Sequence, residues 1–195
     1  YLCCPPLIDQ TAGSFAFSTV KPVSAVKSPS ANELINPKSI VVVGGSDDIQ
    51  KPGGKVLKNL IDNHFKGSLY VVNPKADEVQ GVKSVRDVAD LPQVDLAILA
   101  IAAKFCPQTV EVLATQKGTR AFIILSAGFH EESEEGAKLE QQIVDTINRT
   151  GGCLIGPNCI GVTHRQILKC HSKQKKSSRV TYPCCCHIAF MRYTI

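Results

Sequence analysis

Ser39-Ile-Val-Val-Val-Gly-Gly-Ser46 runs into Asp47-Asp-Ile-Gln-Lys-Pro-Gly-Gly54 and then into Lys55-Val-Leu-Lys-Asn-Leu-Ile61. The unbroken β-branched run from Ile40 to Val43 fits a central parallel strand buried on both faces. After the glycine turn, Val56, Leu57, Leu60 and Ile61 recur at helical spacing, with Phe65 close behind and Gly67 placed as a C′ glycine. A strand, a glycine-rich turn and a helix opening put backbone N–H groups where a phosphate can sit. The dinucleotide fingerprint G-x-G-x-x-G is nevertheless incomplete. Counted from Gly44, Ser46 and Ile49 stand at its third and sixth places, and the loop extends to Gly53-Gly54. The turn alone fits a phosphate loop and a plain strand-to-helix turn equally.

The same alternation continues. Asn36-Pro37 marks a turn within the lead-in before the first strand. Ser68 to Val72 predicts a second strand leaving through Asn73-Pro74-Lys75, with a loop over 77–84 and a short helix over Val85 to Leu91 ended by Pro92. Val94 to Ile101 predicts a third strand, and Pro107 suits the first turn of a helix carrying Val110, Leu113 and Ala114, closed by Gly118. Arg120 to Ser126 predicts a fourth strand. Glu131, Glu132, Glu134 and Glu135 crowd the next helix start, where carboxylates meet the positive end of the dipole. Leu139, Ile143, Val144 and Ile147 make that helix's apolar stripe, Gly151-Gly152 ends it, and Cys153 to Gly156 is a fifth short strand. The pattern predicts an α/β domain: a Rossmann-like, doubly wound, parallel five-stranded sheet with the first strand central, over residues 32–162. Irregular extensions flank it over 1–31 and 163–195.

Charge locates the extensions. The chain has 22 Lys and Arg against 17 Asp and Glu, but residues 163–195 hold seven of the basic residues and no acid. Residues 31–162 hold thirteen basic and sixteen acidic residues, so the domain is mildly acidic and offers no basic stripe for nucleic acid. No apolar run is long enough to span a bilayer. Of the nine cysteines, Cys106, Cys153 and Cys159 are scattered singly through the domain, which predicts free thiols in a reducing, cytoplasmic setting, an organellar matrix remaining open. The Ser-rich, acid-poor leader fits a disordered segment, or a transit-peptide remnant lacking the usual Arg. The sequence does not begin with Met, which fits a fragment or a processed form. In the tail, His164, Cys170, His171, Cys184 to Cys186 and His187 match no standard zinc spacing, and no metal site is predicted.

In a sheet of this kind ligands bind at the carboxyl ends of the strands. Those ends are Gly44-Gly45-Ser46, Asn73 to Lys75, Ile101-Ala102-Ala103, Ser126-Ala127-Gly128 and Gly156 to Cys159. An NAD site wants an acid after the second strand. Lys75 stands there instead and suits a phosphorylated ribose, as in NADP or coenzyme A; it fits an ordinary surface lysine equally. The small residues at 102–103 and 127–128 would allow a cofactor close to the backbone, or simply tight packing.

Val-Val-Asn-Pro-Lys at 71–75, Val-Asp-Leu-Ala-Ile-Leu-Ala-Ile at 94–101, Ile-Ile-Leu-Ser-Ala-Gly-Phe at 123–129 and Ile-Gly-Pro-Asn-Cys-Ile-Gly-Val at 155–162 together resemble the CoA-binding domain of nucleoside-diphosphate-forming acyl-CoA synthetases. ADP-forming acetate–CoA ligases are nearest in look, and the succinyl-CoA synthetase alpha subunit is more distant. The resemblance covers about residues 32–162. It implies that Gly44, Gly45 and Ser46 turn over the CoA phosphates with Lys51 contributing from the loop, and that Asn73 and Lys75 hold the adenosine phosphate end. It implies that Ile101, Ala102, Ala103, Ser126, Ala127 and Gly128 follow the pantetheine, and that Asn158 and Cys159 lie near the thiol. Nothing in the sequence marks Cys159 as an activated thiolate, so it reads as a small buried residue.

The family reaction, as the resemblance implies it, runs through a phosphohistidine in a second domain and an ATP-grasp domain. His64, His130, His164, His171 and His187 are followed by Phe, Glu, Arg, Ser and Ile, none of which matches the phosphohistidine context. The expectation is therefore a chain that binds coenzyme A as substrate without completing the ligase cycle alone, with no catalytic residue of its own. Rival readings are an NADP-binding oxidoreductase or redox-sensing domain, a CoA-responsive regulatory or acetyltransferase module, and a purely structural role.

Overall fold

The computed structural model describes residues 30–162. The expectations for residues 1–29 and for the basic, Cys-rich tail from 163 lie outside them. In chain order the elements are α1 (Ser30–Ile35), β1 (Ser39–Val43), α2 (Pro52–Asp62), β2 (Ser68–Val72), β3 (Glu78–Val79), β4 (Val82–Val85), β5 (Leu96–Leu99), α3 (Cys106–Gln116), β6 (Ala121–Ile124), α4 (Glu134–Thr150) and β7 (Cys153–Ile155). Short 3₁₀ turns occupy Val88–Asp90 and Ala103–Phe105.

The strands form one sheet in the order β3-β4-β2-β1-β5-β6-β7. Every pairing is parallel except β3 with β4. β1 is central as predicted, and the chain winds outward from it in both directions, which is the doubly wound Rossmann-like arrangement. The apolar runs explain the layering. Ile40, Val42, Leu96 and Ile98 face the layer that holds Val56, Leu57 and Leu60 of α2. Val41, Val43, Ala97, Leu99, Phe122 and Ile124 face Val110 and Leu113 of α3 and Ile143 and Ile147 of α4. β5 and β6 are buried along their whole length, as continuous apolar strands between two helical layers should be.

The amino-terminal edge fixes the register of the two central strands. Asp95 Oδ2 accepts from the N–H groups of Lys38 (2.7 Å) and Ser39 (3.2 Å), while Ser39 Oγ accepts from the Asp95 N–H (2.9 Å). These bonds pin the start of β1 beside the start of β5, so that Val43 lies opposite Leu99 where both strands end.

The structure differs from the sequence-based expectation at five places. The sheet has seven strands, not five, because the expected loop over 77–84 is a hairpin: Val79 pairs with Val82 across a turn in which Gln80 (φ +50°) and Gly81 (φ +79°) are both left-handed. Such a two-residue turn matches strand twist, and Val79 buried at 1% exposure supplies the apolar anchor. The helix expected over 85–91 is only the 3₁₀ turn at Val88–Asp90, capped by the Asp87 carboxylate accepting from Ala89 N–H; Val85 belongs to β4. α2 stops at Asp62, and His64 (φ +52°), not Gly67, takes the left-handed position after it. Gly67 is instead a close approach, since a Cβ there would lie 2.2 Å from the Lys38 carbonyl oxygen. α4 starts at Glu134 behind an Ser133 cap, so Glu131 and Glu132 lie in the preceding turn. Finally, the lead-in contains the short helix α1, which tucks Leu34 into the α2 layer.

α3 and α4 are joined through Glu111. Its carboxylate accepts from Arg149 Nη2 at 2.6 and 2.9 Å and from Thr146 Oγ1 at 2.7 Å. The Arg149 hydrogen bond first, and then that of Thr146, hold the carboxyl below the ordinary carboxylate range. A carboxyl lowered in the folded state adds stability that is present above its unfolded pKa and lost as pH falls through its folded pKa. Thermal unfolding of Glu111→Gln against the unsubstituted chain should therefore show a deficit at neutral pH that closes below about pH 4. A deficit independent of pH would contradict this.

Candidate functional site

Because β2, β4, β1, β5, β6 and β7 run parallel, their carboxyl ends share one edge. β1 is the switch point, with β2 on one side and β5 on the other. The β1–α2 loop crosses that edge. Gly44 takes φ +85° and donates its N–H to the Val72 carbonyl at 2.9 Å. A Cβ on Gly44 would lie 2.6 Å from the Ala100 carbonyl oxygen, and one on Gly53 would lie 2.1 Å from the Gly44 carbonyl oxygen. The first turn of α2 therefore packs directly on the end of β1.

The loop between these contacts is fixed by short polar side chains. Ser46 Oγ accepts from Asp48 N–H (3.1 Å), and Asp48 Oδ1 accepts from Gln50 N–H (2.9 Å). Lys51 is the N-cap position of α2 but makes no side-chain cap, and Pro52 has no N–H to offer. Among the described residues, the N–H groups of Asp47, Gly53 and Gly54 meet no hydrogen-bond acceptor. The loop carries Asp47 and Asp48 against Lys51, whose ammonium lies 3.9 Å from Asp48. Any attraction for an anion here rests on backbone N–H groups and the helix start, not on net charge.

Asn73 ties the second strand end to this loop. Its Nδ2 donates to the Gly45 carbonyl (2.8 Å) and its Oδ1 accepts from Lys75 N–H (2.9 Å). The Asn73 side chain is thus engaged at both atoms in building the edge. Lys75 is exposed, and its ammonium makes no ion pair among the described residues.

On the other side of the switch point the ends of β5, β6 and β7 are stitched in sequence. Ser126 Oγ donates to the Ile101 carbonyl, Asn158 N–H donates to the Ser126 carbonyl at 2.9 Å, and Cys159 Sγ lies 3.2 Å from the Ile124 carbonyl. Burial pushes the Cys159 thiol up from its ordinary range, against the pull of backbone hydrogen bonds, so it stays protonated at neutral pH. Cys159 is half-buried and packs against the α2-side core, whereas the sequence predicts a small buried residue. Ala103 packs against Gly128, while Ala102 and Ala127 are exposed along the edge. Beyond Gly128, Glu131 Oε1 accepts from the Gly128 N–H (2.9 Å). Burial works to raise the Glu131 carboxyl; backbone donors at Glu131, Gly128 and Phe129, with His130 nearby, outweigh it and hold it low. His130, Glu131 and Glu140 bring one ligand atom each within 4.8 Å of one another, and the 2.6 Å contact of His130 Nδ1 with Glu140 accounts for much of this grouping.

The sequence-predicted residues thus form one continuous rim from Lys75 through Asn73, Gly45, Gly44, Ile101 and Ser126 to Asn158 and Cys159. Lys51 stands apart at the exposed helix start. One residue was missed. Gln80, at the hairpin turn, donates from Nε2 to the carbonyls of Ser46 (2.7 Å) and Gly54 (2.8 Å), and its own N–H donates to Asp47 Oδ1 (2.8 Å). Its signal was the Gln80-Gly81 pair between Val79 and Val82, whose meaning needs the hairpin.

Sheet, switch point and loop define a nucleotide-cofactor-binding α/β domain. Within that class the chain belongs to the CoA binding domain family, which it matches over residues 38–165. It is 41% identical over 137 residues to the acetate–CoA ligase (ADP-forming) II subunit alpha of Pyrococcus furiosus, covering 69% of this chain and 30% of that protein. It is 42% identical over 134 residues to a trans-feruloyl-CoA synthase of an unknown prokaryote, covering 68% of this chain and 19% of that one. Among solved structures, the dinucleotide-forming acetyl-coenzyme A synthetase 1 of Candidatus Korarchaeum cryptofilum, in complex with phosphate and ADP, superposes with a TM-score of 0.67 at 30% identity, over 73% of this chain and 31% of that one. The chain therefore spans less than a third of the length of each of these relatives. No helix among the described residues is long and apolar enough to cross a membrane.

The contact between Gly53 and the Gly44 carbonyl leaves no room for a methyl group. Gly53→Ala should cost about 1–3 kcal/mol, as overpacking does, and lower the midpoint of thermal unfolding by roughly 4–10 °C. An unchanged midpoint would show that the loop does not depend on this approach.

Proposed function

We propose that residues 32–162 bind coenzyme A along the carboxyl edge of the sheet and hold it as the thiol substrate of an ADP-forming acyl-CoA synthetase. The observation that carries this is the Asn73 side chain, which joins the Gly45 carbonyl of the glycine loop to the backbone N–H of Lys75, an exposed residue whose ammonium makes no ion pair among the described residues. A lysine there complements the 3′-phosphate on the adenosine end of coenzyme A, and the loop faces the diphosphate. The pantetheine then follows Ile101–Ala103 and Ser126–Gly128, and the thiol reaches Asn158–Cys159. Cys159, kept protonated, does not compete as a nucleophile.

In the reaction proposed, the CoA thiol attacks an acyl phosphate made elsewhere in the enzyme. The carbon–sulfur bond forms as the bond to phosphate breaks, releasing inorganic phosphate and the thioester. The phosphohistidine and ATP-grasp parts that make the acyl phosphate belong to further domains or partner subunits, consistent with a relative that is an alpha subunit. Relatives named for acetate and for trans-ferulate both match this domain, so the choice of acyl group is assigned to those other parts. The thiols of Cys106 and Cys159, each held against backbone carbonyls, support a reducing, cytoplasmic setting.

Calorimetric titration of the chain with CoA, dephospho-CoA, NADP and NAD tests this. CoA should bind tightest. Lys75→Ala should weaken CoA about tenfold and leave dephospho-CoA unchanged, the size of a lost charged hydrogen bond. Tighter binding of NADP than CoA would overturn the proposal in favour of the oxidoreductase reading.

A further inference from the structure

Gln80 lies outside the rim but makes three hydrogen bonds to the β1–α2 loop and the first turn of α2. Its amide spends both hydrogens on two carbonyls, Ser46 O in that loop and Gly54 O in the first turn of α2. The side chain is half-buried between them, on a hairpin whose turn is left-handed at both of its residues. The backbone N–H of the same residue holds Asp47 Oδ1. These are three bonds from one residue, reaching across 26 to 34 positions of sequence.

The consequence follows from peptide geometry. A trans peptide is planar, and its C=O and N–H point in opposite directions. Drawing the Ser46 carbonyl toward Gln80 turns the Asp47 N–H the other way, and that N–H has no acceptor among the described residues. A loop that binds an anion fails if a carbonyl oxygen faces the anion, because like partial charges then meet. Gln80 removes that hazard by binding the carbonyl itself. The loop's own side chains do not do so: Ser46 Oγ and Asp48 act on N–H groups as acceptors.

Resting on the CoA reading above, we propose that Gln80 is the positioning residue of the phosphate loop. It does not touch the ligand. It sets the loop so that N–H groups, and not carbonyls, face the CoA diphosphate. A residue on the β3–β4 hairpin thereby controls affinity for a group held between β1 and α2.

The test separates this role from simple support of the fold. The backbone bond to Asp47 survives any side-chain change, so the hairpin keeps an anchor in each variant. Gln80→Leu keeps the bulk and removes both donors. Its affinity for CoA and for dephospho-CoA should fall together by about tenfold, because both ligands carry the diphosphate, so that the ratio between them, which reads Lys75 and the 3′-phosphate, stays as in the unsubstituted chain. Gln80→Glu should lose more at neutral pH, where its carboxylate faces two carbonyls, and should recover dephospho-CoA binding as pH falls below about 5, where the protonated acid can donate again. Unchanged affinity in Gln80→Leu would overturn the proposal. So would a collapse of the CoA to dephospho-CoA ratio toward one, which marks general loosening of the edge, or a Gln80→Glu deficit that does not respond to pH. If the unsubstituted chain bound neither ligand, the CoA reading itself would fail, a result distinct from each of these.

Discussion

Everything at the carboxyl edge depends on how closely three pieces of backbone meet at the end of β1. The Gly44 carbonyl lies under Gly53, and Gly44 itself lies against Ala100 after β5, with no space for a Cβ at either glycine. This contact brings the start of α2 down onto the switch point. Without it the N–H groups of the first helical turn would stand away from the strand ends, and no anion could meet both. The opposite edge supports the same geometry. Asp95 and Ser39 lock the beginnings of β1 and β5 side by side, and the strands then run in register to their ends.

A division of labour follows. Polar side chains along the rim help to build it. Asn73 joins β2 to the glycine loop, Ser126 joins β6 to β5, and the Cys159 thiol rests on the β6 backbone. What remains for a ligand is backbone N–H, small residues that let it approach, and Lys75 as an exposed cation. This suits a long ligand with phosphates at one end and a thin chain at the other, the shape of coenzyme A. It also explains how relatives with different acyl substrates can share one domain. The acidic residues of the loop also build it, since Asp48 accepts from an N–H of the loop and Asp47 from an N–H of the hairpin.

The sequence made the scaffold legible wherever pattern is long and local. Ile40 to Val43, the apolar run ending at Leu99, and Ala121 to Ile124 are continuous enough to read as buried strands, and the glycine turn after the first marks the carboxyl edge of the sheet. The hairpin over Glu78 to Val85 was not legible, because β3 has only two residues and its apolar signal is one buried valine. Gln80 was invisible for the same reason, as its partners lie across the fold and only the hairpin brings them near. His64 was missed as a helix stop because glycine is the usual left-handed residue there, while Gly67 is required for a different reason, its closeness to Lys38. The engagement of Asn73 and Ser126 within the edge could be seen only once the strands were in register.

The central claim is that coenzyme A lies along this edge, and a crystal structure of the chain grown with CoA tests it most directly. Density should run from a 3′-phosphate at Lys75, over N–H groups of the β1–α2 loop and the start of α2 at the diphosphate, past Ile101 and Ser126, to a thiol beside Asn158 and Cys159. CoA bound in the reverse direction, bound at another face, or absent from the edge at saturating concentration would contradict it.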